Sequence, residues 1–106
     1  VTIVTVFRSR LRPGVEVAYG EVAAEMSRLV HAMEGFVDEK FFTSDDDERV
    51  TIVRFRDRVT QRAWAELPAH LAAQRRGRDE FYSWYDISVS EETYQRTFDS
   101  PIASKD

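Results

Sequence analysis

Cysteine is absent from the 106-residue chain, which excludes disulfide bonds, thiolate metal sites and a cysteine nucleophile. Long apolar runs are missing too, since none approaches the roughly 20 residues that a bilayer-spanning helix needs. The opening residues show no secretory pattern of a charged stretch followed by an apolar one. The sequence therefore predicts a cytoplasmic protein without a membrane segment.

A surplus of positive charge is also lacking, because 15 Lys and Arg residues face 19 Asp and Glu residues, for a net charge of −4. Nucleic-acid binding relies on cations that neutralise phosphates, so we expect no nucleic-acid partner. The basic run at residues 75–78 has a simpler interpretation. Cations at the end of a helix complement its dipole, and Gly77 is suited to close that helix.

Recognisable metal and nucleophile motifs are absent as well. The chain has no glycine-rich phosphate loop, no zinc-ligand spacing and no Ser/His/Asp arrangement. The acidic run at residues 45–48 lacks the alternating ligands and the late glutamate of a calcium loop, and we interpret it as a solvated turn. We expect no metal site.

Hydrophobic residues make up 42% and charged residues 32% of the chain, the balance of a single globular domain. β-branched and aromatic stretches predict strands at residues 1–7, 36–43, 49–56 and 81–89. The second and third predicted strands flank the polar turn and should form a hairpin. In the last strand, alternation places Tyr85 on one face and Tyr82 and Trp84 on the other.

Helical spacing of apolar residues predicts a long helix over residues 15–33, with Gly35 as its left-handed terminator. Thr60 is the predicted N-cap of a second helix that runs to Leu67. Pro68 should interrupt that helix, because proline removes a backbone hydrogen bond. Further helical turns are predicted for residues 69–76, ending at Gly77.

The order β-α-β-β-α-β predicts an α+β, ferredoxin-like fold with a four-stranded antiparallel sheet, covering residues 1–91. Both helical segments must pack on one face of the sheet. The opposite face should carry an apolar patch, which normally marks an interface; its predicted members are Val4, Val6, Ile52, Tyr82 and Trp84. We expect a two-fold homodimer. The polar tail, residues 92–106, contains Phe98 and Ile102 and is expected to pack on the partner subunit.

Three stretches resemble the antibiotic biosynthesis monooxygenase family, a group of dimeric α/β-barrel proteins. They are residues 6–14, which end in Pro13 and Gly14, residues 33–37, and residues 55–78, which contain Trp64 and the proline-broken helix. The resemblance implies a homodimer with one pocket per subunit, between sheet and helices. It also implies oxygenation of hydroxylated, polyketide-like aromatics by molecular oxygen, without flavin, haem or metal, in secondary metabolism.

A second branch of that family degrades haem, using an Asn near the end of the first strand, a Trp on the second helix and a His ten residues after the Trp. Trp64 matches that pattern. Phe7 stands at the Asn position and Gln74 at the His position, so haem degradation is disfavoured, and a haem-handling protein is kept as a third hypothesis.

Two residues are the candidates for catalysis. His70 lies at the break between the short helices, and an unperturbed pKa near 6.5 suits a base at neutral pH; its alternative interpretation is a surface histidine at a helix start. Trp64 is expected to form a pocket wall or to donate its indole N–H to an oxyanion. The alternative for Trp64 is a core residue that anchors the helix, and both roles are compatible.

The remaining predicted pocket residues are mostly aromatic or aliphatic, which suits a flat apolar ligand; they are Phe7, Phe41, Phe55, Leu67, Leu71, Gln74, Phe81 and Tyr85. Tyr19, Tyr82 and Tyr85 are each able to hydrogen-bond a substrate phenol. A non-oxidative ligand carrier, cyclase or isomerase on the same scaffold remains the alternative, because a single fold hosts many activities.

Overall fold

The computed structural model describes residues 1–101 of the chain. Four antiparallel strands, three helices and a π-helical turn form the framework of these residues. The strands are β1 (Ile3–Leu11), β2 (Phe36–Thr43), β3 (Arg49–Phe55) and β4 (Tyr82–Glu91), in the spatial order β2-β3-β1-β4. The helices are α1 (Glu16–His31), α2 (Arg58–Ala65) and α3 (Pro68–Arg76), and the π-helical turn is Gly77–Phe81. The predicted α+β, ferredoxin-like order is confirmed.

Strand β1 is a central strand that pairs with β3 on one side and with β4 on the other. Phe7 stands opposite Thr51 of β3 on one side and Ile87 of β4 on the other. Because side chains alternate between the faces of a strand, these three lie on the same face of the sheet. That inner face is the one that the helices cover.

A β-bulge changes the direction of one side chain in β4. Arg10 pairs with Trp84 whereas Leu11 pairs with Tyr82, so Ser83 is an extra residue in the ladder. An extra residue reverses the alternation on one side of a bulge. Tyr82 therefore lies on the inner face, and the prediction that it shares the outer face with Trp84 was wrong.

The turn between α1 and β2 depends on Gly35. Helix α1 ends at His31, a little earlier than predicted, and Gly35 adopts φ +83° in the turn that follows. The left-handed backbone predicted for Gly35 is confirmed. The Gly35 carbonyl accepts the backbone N–H of Arg56 at 2.8 Å, which ties the turn to the end of β3.

Helix α2 begins at a different cap from the one expected. Asp57 is the N-cap, and its Oδ1 accepts the backbone N–H of Thr60 at 2.9 Å. These hydrogen bonds from Thr60 hold the pKa of Asp57 below its usual value. The prediction of Thr60 as N-cap was wrong by three positions, because Thr60 supplies the N–H that a cap accepts.

The break between α2 and α3 is confirmed, with Pro68 in the first turn of α3. Helix α3 ends at Arg76, but Gly77 keeps a right-handed backbone with φ −57°. The chain therefore continues through the π-helical turn instead of reversing at Gly77. This turn leads directly into the bulged start of β4.

The hydrophobic core lies beneath α1 and α2, on the β3 side of the sheet. Its buried members are Val30, Phe55 and Trp64. Partly buried side chains surround these three, namely Met26, Leu29, Met33, Phe36, Val53 and Leu67. On the β4 side of the inner face the side chains are less covered, since Ile87 is 49% and Val89 42% exposed.

The outer face of the sheet, on the side away from the helices, presents both apolar and charged groups. Trp84 is 42% exposed there, with the Arg8 guanidinium 5.5 Å from its ring centroid. Val6 pairs across the strands with Ile52 on the same face. The rim is charged, and it includes the ion pair between Arg54 and Glu92 at 2.9 Å.

Beyond β4 the chain has no regular secondary structure over residues 92–101, where Tyr94 and Phe98 are exposed. Ile102, which the sequence placed in the tail contact, lies outside the described residues. Within residues 1–101, no helix is long and apolar enough to cross a membrane.

Candidate active site

A cavity of about 330 Å³ lies between the inner face of the sheet and the helices. Residues from all four strands, from the three helices and from the π-helical turn line it. The volume falls at the lower end of the range typical of small-molecule sites. The wall is mainly apolar and carries a few polar side chains, which determine what chemistry the cavity can support.

Both candidate catalytic residues, His70 and Trp64, line this cavity. Four of the predicted pocket residues line it with them, namely Phe7, Gln74, Phe81 and Tyr85. They come from β1, α3, the π-helical turn and β4. The fold thus brings residues that are distant in sequence to one wall.

The other four predicted pocket residues lie elsewhere. Phe55 is 1% exposed and belongs to the core, and Leu67 packs against that core. Leu71 follows His70 directly, and the rotation between neighbouring helical residues turns it outward, where it is 42% exposed. Phe41, on the edge strand β2, is 47% exposed.

The His70 ring is held in one orientation by two contacts. It stacks on Trp64 with ring centroids 4.1 Å apart and planes 20° from parallel. Its Nδ1 lies 3.1 Å from the backbone carbonyl oxygen of Trp64. A carbonyl only accepts, so Nδ1 carries the hydrogen of the neutral ring and Nε2 is left as the basic atom. Burial lowers the pKa of His70 below 6.5, which favours that neutral form.

Trp64 combines the two roles that the sequence left open. It is 8% exposed and part of the core, and it also lines the cavity. Because His70 covers one face of the indole, a ligand cannot stack on that face. The Trp64 ring therefore packs against the His70 ring on that face.

Gln61 is a cavity residue that the sequence interpretation missed. It is 6% exposed, and its Oε1 accepts from Arg58 Nη1 at 2.9 Å. With its oxygen engaged, the Gln61 amide N–H₂ remains as a donor at the cavity. The sequence position of Gln61 could have indicated this placement. Gln61 precedes Trp64 by three residues, and residues three apart lie on the same side of a helix.

Glu39 supplies a carboxylate to the cavity wall, and its Oε1 accepts from Ser27 Oγ at 2.8 Å. The register of β2 shifts between Phe36 and Asp38. Simple alternation from Phe36 therefore gave no indication that Glu39 faces inward.

Aromatic rings pack at the β1–β4 end of the cavity. The Tyr82 ring lies 5.4 Å from Phe7, 5.8 Å from Tyr19 and 5.7 Å from Tyr85, measured between centroids. Burial raises the pKa of the Tyr82 phenol far above its usual value, and the neighbouring Tyr19 adds to this effect. Tyr82 consequently stays neutral and can donate its hydroxyl hydrogen to a ligand.

The sequence matches the family model described as antibiotic biosynthesis monooxygenase over residues 2–76, which is more than half of the chain. The chain belongs to the antibiotic biosynthesis monooxygenase family. The resemblance stated from the sequence is thereby confirmed. No curated protein sequence matches the chain significantly.

Solved structures with the same fold are numerous. Rv0793 from Mycobacterium tuberculosis superposes with a TM-score of 0.81 at 17% identity, covering 92% of this chain and 100% of its own. SnoaB from Streptomyces nogalater, a cofactor-independent oxygenase, gives a TM-score of 0.74 at 19% identity, covering 93% of this chain and 98% of its own. A protein from Methanosarcina mazei Go1 gives 0.77 at 8% identity, with 87% and 93% coverage. At such identities the similarity establishes the fold.

Within residues 1–101, no cluster of three or more His, Asp or Glu side chains is arranged to hold a metal ion. The cavity of this family member combines aromatic walls with a positioned histidine, an amide, a phenol, the carboxylate of Glu39 and the side chain of Arg78. These groups can bind a flat molecule, accept a proton and donate hydrogen bonds.

Proposed function

We propose that this protein is a small cofactor-independent monooxygenase that oxidises a hydroxylated, polyketide-like aromatic in secondary metabolism. The observation that carries the proposal is a cavity of about 330 Å³ with aromatic walls and a histidine whose Nδ1 is engaged by a backbone carbonyl. Family membership and the fold shared with SnoaB, a cofactor-independent oxygenase, support it.

The proposed chemistry starts with removal of a proton, because triplet oxygen reacts poorly with closed-shell molecules. His70 Nε2 takes a proton from the activated carbon of an anthrone-type substrate, leaving a delocalised anion. The anion gives an electron to oxygen, and the resulting radicals combine to form a C–O bond. His70 returns the proton to the peroxide, which loses water and leaves the quinone carbonyl. A methylene and one molecule of oxygen thus become a carbonyl and one molecule of water.

Two donors are placed to stabilise the anion. The Gln61 amide, oriented by Arg58, and the hydroxyl of the neutral Tyr82 both line the cavity. Donors fixed before the reaction lower the energy of a developing oxyanion more than mobile water does. The apolar remainder of the wall offers water few hydrogen-bonding groups beside the intermediate.

Oxygen uptake is the direct test. We expect protein freed of metal and flavin to consume oxygen with an anthrone or naphthol substrate, in a 1:1 ratio to quinone formed. Product analysis under air and under argon gives the control. The same product under both gases would contradict the proposal and favour a cyclase or isomerase, and binding without any product would favour a ligand carrier.

We also propose that the protein is a homodimer joined through the outer faces of the two sheets. Val4, Val6 and Ile52 would otherwise leave an apolar strip in water beside the 42%-exposed Trp84. In that dimer the tail from residue 92 onward lies against the partner. The helices of each subunit then cover its own cavity on the inner face.

A charge at the centre of this strip should separate the subunits. Val6→Lys is expected to convert the dimer into a monomer, because a lysine in this strip would be buried in the interface without a partner. Light scattering after size-exclusion chromatography measures the change. Val17→Lys, at a valine that is 79% exposed on α1, is the matched control and should remain dimeric. A wild-type monomer at micromolar concentration would contradict the dimer.

A further inference from the structure

Glu39 is an acidic side chain of the cavity wall, and the register of the sheet supports this placement independently. Glu39 stands opposite Val53 of β3, Val53 opposite Thr5 of β1, and Thr5 opposite Val89 of β4. Residues opposite each other in a sheet point to the same face, so these four form a row across the inner face. All four line the cavity. Glu39 therefore supplies a carboxylate at the β2 edge of the cavity, at the end of a row that is otherwise valine and threonine.

Helix α1 engages one oxygen of this carboxylate. Ser27 Oγ donates to Glu39 Oε1 at 2.8 Å, and the Glu39 side chain is only 21% exposed. His31, one helical turn after Ser27, has its Nδ1 3.9 Å from the same oxygen but 2.7 Å from the Ser27 carbonyl oxygen. Because a carbonyl only accepts, the Nδ1 hydrogen is used there. Ser27 thus holds the carboxylate in one orientation.

The second oxygen of Glu39 has no comparable partner. Within residues 1–101, Oε2 accepts no hydrogen bond, and no Lys or Arg lies within ion-pair distance of the carboxylate. The neighbouring Asp38, in contrast, pairs with Arg54 at 3.4 Å. An ionised carboxylate has several acceptor sites and binds a donor more strongly than a neutral acceptor does. The cavity wall therefore carries a charged acceptor with one uncommitted oxygen.

We propose that Glu39, oriented by Ser27, is the residue that selects ligands with a free ring hydroxyl, by accepting the hydroxyl hydrogen at Oε2. The inference rests on the proposed function for the hydroxylated aromatic ligand, and it adds the residue that recognises the hydroxyl. The methyl ether of the same ligand has no hydrogen to donate and would cover the carboxylate with apolar atoms. A site that is built to hydrogen-bond a substrate hydroxyl discriminates strongly against analogues that lack it.

The competing explanation is that Glu39 only joins β2 to α1 through Ser27. That contact needs a single acceptor oxygen, which the amide of a glutamine would supply equally well. It gives no reason for a ligand to respond to the charge of Glu39. The two explanations therefore differ in how a hydroxyl on the ligand affects binding.

Binding of a matched pair of ligands separates the explanations. The probes are 2-naphthol and its methyl ether, 2-methoxynaphthalene, titrated under argon by calorimetry so that no oxidation occurs. For the wild type we expect naphthol to bind about tenfold to a hundredfold more tightly, the range for a hydrogen bond to a charged group. Burial of the extra methyl group alone would favour the ether. A preference for naphthol therefore reports a polar partner in the cavity.

Two substitutions assign that partner. Glu39→Gln should bring the ratio close to one. Its Oε1 can still accept from Ser27, which leaves the amide N–H₂ as a donor that the oxygen of either ligand accepts. Glu39→Leu, which extends the apolar wall, should shift the preference to the ether. Asp38→Asn is the matched control, since Asp38 is 55% exposed, pairs with Arg54 and does not line the cavity. It should keep the wild-type ratio.

Equal affinities of the wild type, or tighter binding of the ether, overturn the role of Glu39 whether or not the variants fold. A naphthol preference that survives in folded Glu39→Gln or Glu39→Leu also overturns it. The same holds if Asp38→Asn abolishes the preference, because any nearby negative charge would then suffice. Oxygen uptake by the wild type is measured separately. Its absence with a retained naphthol preference refutes the oxygenase alone, and its presence without that preference refutes the role of Glu39 alone.

Discussion

Replacement of His70 by glutamine is expected to lower kcat for oxygen uptake by about 10²–10⁴-fold, the range for loss of a general base. Glutamine keeps a polar side chain of similar reach that can still donate to the Trp64 carbonyl, where His70 Nδ1 lies at 3.1 Å. It cannot accept a proton at neutral pH. Substrate affinity should change little, because the aromatic wall remains.

The pH profile gives this prediction a second measurement. Burial lowers the pKa of His70 below 6.5, so the neutral, proton-accepting ring persists into mildly acidic solution. The acidic decline of kcat/KM should therefore have its midpoint below pH 6.5, the value for an unperturbed histidine. In His70→Gln this acidic decline should be absent from the residual activity.

His31→Gln is the matched control, because His31 ends α1 with a side chain that is 56% exposed. It should keep wild-type kcat and the wild-type acidic decline. A His70→Gln variant with nearly full activity would contradict the assignment of the base. Glu39, the carboxylate at the cavity wall, would then be the next candidate.

The fold was predictable because its determinants are local. Residues 15–33 carry a helical repeat, Pro68 cannot continue a helix, and Gly35 permits the left-handed turn. The order of these elements limits how a chain of this length can cover one face of a sheet. Element ends were less predictable, as the cap at Asp57 in place of Thr60 illustrates. Either side chain can cap, and tertiary packing decides between them.

The site was predictable only in part, because irregularities of the sheet decide which side chains face the cavity. The bulge at Ser83 turns Tyr82 inward, and the register shift in β2 does the same for Glu39. Strict alternation cannot anticipate either event. Phe55 and Phe7 look equivalent in sequence, yet Phe55 belongs to the core and Phe7 lines the cavity. That division follows from where the helices lie across the sheet.

Gly35→Ala is expected to lower the free energy of unfolding by about 3–5 kcal/mol, near the upper end for single substitutions. The backbone of Gly35 is at φ +83°, which costs an alanine about 1–2 kcal/mol. A Cβ there would also lie 2.3 Å from Thr60 Oγ1 and 2.5 Å from Thr60 Cβ. Thr60 is 8% exposed and tied to Asp57, so it has little room to retreat.

Gly14→Ala isolates the backbone contribution. Gly14 has the same φ of +83°, but a Cβ there would meet nothing within 4 Å. It should therefore cost only about 1–2 kcal/mol. Urea denaturation at one fixed protein concentration compares the variants, since dimer stability depends on concentration.

A double variant tests the assigned cause. In a Thr60→Gly background the colliding side chain is gone, and Gly35→Ala should then cost about what Gly14→Ala costs. Equal losses for Gly14→Ala and Gly35→Ala in the native background would mean that Thr60 moves aside freely. The start of α2 would then be able to change its position. The positions of Gln61 and Trp64 at the cavity would be adaptable for the same reason. A large loss that disappears with Thr60→Gly means instead that the α1–β2 turn fixes the helix carrying both residues.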